Sequence, residues 1–167
     1  MDLNKEYKFI NFDTNKGNKL AYTLSLAVAE QPGKNYSPLF ISGNEKERTH
    51  LMSAIANYVI EFFNYKVLYV KATEINKLTS NIDVLLIDEL EHLSKAEEPK
   101  LIEIIKIFQS NKKQIVLGSN KMLDELNISN NLKEVINWGM SVNIEQNNNK
   151  SKKKDLFDYN WLEDNDE

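Results

Sequence analysis

The chain has 167 residues and a formal net charge of −4, a length that suits one domain with a substantial core. It holds no cysteine and two histidines, His50 and His92, which excludes disulfides and thiolate metal sites and leaves too few imidazoles for a metal cluster. The acidic balance argues against indiscriminate nucleic-acid binding, which normally shows as a basic face. With no N-terminal targeting pattern and no apolar run near the ~18 residues of a membrane span, a cytoplasmic location is expected.

Asp2 to Asn15 carries Tyr7, Phe9 and Phe12 among polar residues and reads as an extended arm packed by its rings. From Gly17 to Glu30, Leu20, Ala21, Leu24, Ala27 and Val28 recur at helical spacing, and Pro32-Gly33 ends the run, which predicts a helix with one buried stripe. Leu39 to Ile41 is apolar on both faces, as an inner strand of a covered parallel sheet should be. Thr49 is expected to open the next helix, with Leu51, Ile55, Tyr58, Val59 and Phe62 inward. Strands follow at Val67–Val70 and Asp83–Asp88, separated by the brief Lys71–Ser80 segment. Pro99 suits the first turn of a helix faced by Leu101, Ile104, Ile105 and Phe108. Gln114–Ser119 and Gly139–Ile144 complete five strands. Strands alternating with helices predict a three-layer α/β domain around a parallel sheet, over residues 1–146. Beyond Gln146 a basic run ending in KSKKK precedes an acidic stretch with Phe157, Tyr159 and Trp161, and this charge pattern predicts a disordered tail over residues 147–167.

Between the first strand and the second helix lies PLFISGNEKERTHLMSAI, laid out like a phosphate-binding loop. That motif is written G-x-x-x-x-G-K-[ST]: glycines let backbone N–H groups wrap phosphates, the lysine reaches the terminal phosphates, and the hydroxyl holds Mg²⁺. Here Gly43 and Thr49 fit, but Arg48 replaces the lysine, Glu47 replaces the second glycine, and the spacing is one residue short. Glu45 and Glu47 add carboxylates where phosphate would lie. Two like charges about 4 Å apart repel by ~1 kcal/mol in water and ~4 kcal/mol near a protein surface. The expectation is a degenerate site that binds neither ATP nor Mg²⁺.

Taken in order, YKFINFDTNKGNKLAYTLSLAVAEQPGKNYSPLFISG, THLMSAIAN, KVLYV, VLLIDELEHL, QIVLGSN and NWG resemble the AAA+ domain of the bacterial DnaA replication-initiator family. The resemblance implies helices on both faces of a five-stranded parallel sheet, nucleotide at the strand-to-helix turn, and subunits that stack into filaments on origin DNA. It also matches Asp88 and Glu89 to the second acidic motif, whose first carboxylate supports Mg²⁺ and whose second activates water, and Asn120 to the polar sensor position. Within LKEVINWG it places Val135 where the family carries its arginine finger, a group worth about 10³ to 10⁵ in rate. The family's extra helices before the acidic motif, which contact single-stranded DNA, correspond here only to KATEINKLTSNID. The helical lid and DNA-binding domain that follow in the family have no counterpart in these residues.

Each of these positions has a structural alternative. Gly43 and Thr49 can simply turn the chain and start a helix, Arg48 can pair locally with Glu45 or Glu47, and Asp88 and Glu89 can be solvated acids at a strand end. Asn120 can serve as a local hydrogen-bonding residue, and His50 and His92 as surface groups. The favoured reading is a non-catalytic DnaA-like module that contacts the DnaA initiator or another replication protein, with Trp138 as a contact residue. Asp155-Leu156-Phe157 resembles the end of a sliding-clamp docking peptide, so Leu156 and Phe157 suggest a weak clamp contact. The competing readings are an ATP-binding initiator ATPase and a single-strand DNA-binding module, the latter disfavoured by the charge balance.

Overall fold

The computed structural model describes residues 3–79 and 81–146; the tail and its Leu156 and Phe157 lie outside the described residues. Five strands, β1 (Leu39–Gly43), β2 (Val67–Lys71), β3 (Val84–Asp88), β4 (Gln114–Ser119) and β5 (Met140–Ile144), form one parallel sheet in the order β2-β3-β4-β1-β5. The inner strands β3 and β4 are buried along their whole length, which explains why they read as apolar runs rather than alternating ones. Helices α1 (Lys19–Glu30) and α2 (Glu45–Phe63) cover one face, with Leu39, Ile41, Leu86 and Val116 beneath them. Helices α3 (Glu98–Ser110) and α4 (Asn130–Ile136) cover the other, over Phe40, Leu85, Ile87, Ile115 and Leu117. The three-layer α/β architecture expected from the sequence is present.

Several elements differ in detail from the sequence expectation. The inward face of α1 is Ala21, Ser25, Val28 and Ala29, while Leu20 is 63% exposed. Leu24 and Leu26 of the same helix are half-buried against the edge of this core, and only Leu20 turns outward. Helix α2 begins at Glu45 rather than Thr49, because Asn44 caps it: its side-chain oxygen accepts the Glu47 N–H at 3.1 Å, satisfying a donor left open in the first turn. Leu51, Ile55 and Val59 are buried as expected, but Phe62 is 61% exposed. The short helix α4 was not anticipated; Ser129 caps it by accepting the Leu132 N–H at 3.2 Å.

The N-terminal arm packs by its rings. Phe9 meets Tyr22 and Tyr58 edge-on, with centroids 5.8 and 6.1 Å away. Tyr7 stacks on His50 at 4.8 Å, Phe12 meets the same imidazole edge-on, and His50 Nε2 lies 2.8 Å from the Lys8 carbonyl. His50 therefore ties the arm to α2 instead of standing as a plain surface group. Between β2 and β3, Ala72–Lys77 forms short 3₁₀ turns that meet at a kink at Glu74.

Candidate functional site

In a parallel sheet the connections that follow the strands gather at one end, the usual place for a ligand. Here that end brings together Gly43 of β1, Asp88 of β3 and Ser119 of β4. Gly43 has φ of 125°, and a Cβ there would sit 2.6 Å from the Ile144 carbonyl oxygen, so glycine is required by the turn out of β1. Asn44 alone separates β1 from α2. Four residues into the helix, Arg48 turns inward and is 1% exposed. Its Nε donates to Asp88 Oδ1 at 2.8 Å and its Nη1 donates to the Gly43 carbonyl at 2.5 Å.

This geometry corrects two expectations. Arg48 pairs with neither Glu45 nor Glu47, and Asp88, 1% exposed, is not a solvated acid. The reason is steric as much as electrostatic. Gly118 in β4 leaves the space through which the pair meets: a Cβ at that position would lie 2.4 Å from Asp88 Oδ1, 2.7 Å from Met52 Sδ and 3.2 Å from Arg48 Cδ. Glu47 is instead engaged by the buried Asn18 amide, which donates to its Oε2. Thr49 is half-buried in the second turn of α2.

Around the pair stands a second layer of polar groups. Asp88 Oδ1 also accepts the Glu89 N–H at 2.8 Å, and Glu89 itself adopts φ of 59° and pairs with Lys71 at 3.7 Å. Glu91 Oε1 accepts the Ser119 hydroxyl at 2.8 Å and the Asn120 N–H at 3.1 Å. Burial pushes the Glu91 carboxyl up, but hydrogen bonds from its own N–H, Ser119 and Asn120, with the nearby Arg48 charge, outweigh it and hold the group below the ordinary glutamate range. The Asn120 side chain is exposed, and its backbone carries the local contact. Beneath the pair, the Tyr69 hydroxyl is buried without a partner in hydrogen-bonding geometry. Burial and then the Asp88 charge raise its pKa above the ordinary phenol value, while Arg48 and the Ser53 hydroxyl act the other way.

The remaining predicted positions lie elsewhere. Val135 is 4% exposed on the inward face of α4, within the core. Trp138 is 45% exposed at the opposite end of the sheet, just before β5. Among the described residues there is no group of three His, Asp or Glu able to hold a metal, and no helix long and apolar enough to cross a membrane. Gly118 and Glu91 escaped the sequence reading, although a lone glycine in an apolar strand signals close approach of another group.

The strand order, the helices on both faces and the acidic residue closing β3 beside the β1–α2 turn define a P-loop-type α/β domain of the AAA+ class. Comparison with known proteins places it more narrowly. The model for the bacterial DnaA ATPase domain matches residues 3–79 and 71–143, and the chain belongs to that family. It is 35% identical to the chromosomal replication initiator DnaA of Streptococcus mutans, over 86% of this chain and 37% of the relative. Among solved structures, domain III of DnaA from Thermotoga maritima superposes with a TM-score of 0.80 at 28% identity, covering 92% of this chain and 73% of that one. AMPPCP-bound DnaA from Aquifex aeolicus gives 0.79 at 28% identity, covering 96% and 57%. The chain thus spans little more than a third of the length of the curated relative.

Proposed function

We propose that this chain is a non-catalytic DnaA-family module that acts by protein contact in replication initiation or its control. The observation that carries the reading is the buried Arg48–Asp88 pair. The carboxylate expected to support Mg²⁺ accepts a guanidinium at 2.8 Å, and the same guanidinium holds the Gly43 carbonyl at the mouth of the former loop. With Asn44 as the whole connection between β1 and α2, there is no loop backbone to wrap phosphates, so Mg-ATP does not fit these residues. Glu45 and Glu47 in the first turn of α2 add negative charge beside the same place. The partner that suits a DnaA-like scaffold is the AAA+ domain of the host initiator, or another replication protein.

Calorimetry with Mg-ATP is expected to show no binding at sub-millimolar concentration, and a phosphate-release assay no hydrolysis. Arg48→Lys should not restore either, because the backbone cradle is missing as well as the lysine. A micromolar constant for Mg-ATP would overturn the reading.

A further inference from the structure

Between α2 and the N-terminal arm lies an apolar groove of about 340 Å³. Its floor is Phe9 and Ala54, both buried, and its walls are Ile10 on the arm and Tyr58 and Phe62 on α2. Ile10 is 92% exposed and Phe62 61%, and the Tyr58 and Phe62 rings lie with centroids 4.5 Å apart. Asn57 ties the arm down beside the groove, its side-chain amide donating to the Asn4 and Tyr7 carbonyls at 3.1 and 2.8 Å. One exposed apolar side chain needs no explanation, but two that face each other across an apolar hollow mark a contact surface. Lys8 and Glu61 stand on its lip, and neither forms an ion pair among the described residues.

The described chain leaves the sheet beside the first turn of the same helix. After β5 the Glu145 N–H donates to the Gly17 carbonyl at 2.9 Å, and the neighbouring Asn18 side chain holds Glu47 in that first turn. From Glu47 to the groove at Tyr58 is about 17 Å of helix, at roughly 1.5 Å per residue. The stretch of chain from Gln146 to Leu156 spans up to about 33 Å when extended, so it reaches the groove with length to spare. The two surfaces also match in order. Along α2, the acidic first turn with Glu45 and Glu47 precedes the apolar groove. Along the chain beyond Gln146, the basic run of Lys150, Lys152, Lys153 and Lys154 precedes the apolar pair Leu156 and Phe157. Asp155 and Asp158 bring carboxylates for Lys8, and Lys154 brings an ammonium for Glu61. We propose that residues 150–157 fold back along α2, with the lysines over its acidic first turn and Leu156 and Phe157 in the groove between Ile10 and Phe62. The chain thereby covers its own apolar surface, and an outside protein that takes Leu156 and Phe157 has to draw them out of the groove first. This contact is separate from the Arg48–Asp88 site and does not depend on the function proposed above.

The test uses the full chain. It holds no cysteine, so Asn160→Cys supplies a single thiol for a nitroxide spin label, and amide signals of the ¹⁵N-labelled protein are compared before and after the nitroxide is reduced. The signals of Ile10, Asn57 and Glu61 are expected to lose most of their intensity while the nitroxide is active, and those of Lys100 and Glu103 in α3, on the other face of the sheet, to keep theirs. Ile10→Asp with Phe62→Asp should restore the groove signals, as should Leu156→Ser with Phe157→Ser. The two groove positions are exposed, and an unchanged signal pattern elsewhere checks that the fold is kept. Groove signals that keep their intensity from the start overturn the proposal, and so does a loss that persists in the groove double variant, which would mean a tether lingering nearby rather than a seated segment. A loss reproduced when spin-labelled ¹⁴N protein is mixed with unlabelled ¹⁵N protein also overturns it, in favour of a second copy as the occupant.

Discussion

Moving a guanidinium and a carboxylate out of water costs several kcal/mol per ion, which is offset only when each satisfies the other. Arg48 and Asp88 meet that condition, with side chains about 2% exposed and further bonds to Gly43 and Glu89. Removing one partner leaves a bare buried charge, so Arg48→Ala or Asp88→Ala is expected to destabilise the protein by about 3–5 kcal/mol in urea denaturation. The Arg48→Met, Asp88→Leu double variant should return close to the parent stability, because an apolar pair of similar volume needs no desolvation. Losses that simply add in the double variant would show that the two groups are not coupled. Glu91 gives a pH-dependent companion. Its folded carboxyl is depressed relative to the unfolded chain, so its contribution is complete above the ordinary glutamate value and fades as pH falls through the lower folded one. Thermal melts should lose part of their acid-limb slope in Glu91→Gln while neutral-pH behaviour changes less.

At the level of elements, the turn from β1 into α2 decides what the site can be. The Asn44 cap starts the helix within one residue of the strand and turns Arg48 inward toward Asp88. Asn44→Ala should cost about 0.5–2 kcal/mol, read as a lowered urea midpoint with an unchanged slope. A loss well below that range would mean the helix start is fixed by Arg48 rather than by the cap. The sheet was legible in the sequence because strands covered on both faces, such as Val84–Asp88, carry uninterrupted apolar residues. The outward turn of Leu20 was not, because α1 packs through Ala21, Ser25, Val28 and Ala29, and small residues leave a weak periodic signal. Helix α4 is only seven residues long and opens with two asparagines, too brief to show a period. At the site, the replacement of the loop lysine by Arg48 and the acid at Asp88 were both visible. Their pairing was not, since 40 residues separate them and the space between them depends on Gly118 in a third element.

For the whole molecule, the proposed role turns on which faces remain available to a partner. DnaA-family assembly, as the resemblance implies, sets the nucleotide face of one subunit against the finger-bearing face of the next. This chain retains the strands and helices of such a scaffold, with Arg48 bonded to Asp88 and Val135 buried at the two places to which the resemblance assigns the nucleotide and the finger. The outward side of α1 presents Leu20 at 63% exposure beside the half-buried Leu24 and Ala27, an apolar stripe next to the nucleotide-end turn. On the function proposed above, a subunit of this kind would occupy a place in an initiator assembly without bridging to the next one. It is therefore expected to bind the host initiator's AAA+ domain weakly and, in excess, to shorten or block ATP-dependent assembly on origin DNA, followed by crosslinking or light scattering. Leu20→Glu should relieve the inhibition, because a carboxylate on that stripe must be desolvated at the contact, whereas Lys34→Gln with Lys112→Gln at the far end of the sheet should leave it unchanged. If a large excess of the parent protein leaves initiator assembly unaffected and fails to co-purify with it, the regulatory reading falls, another partner must be sought, and the α1 stripe is not a docking face for the initiator.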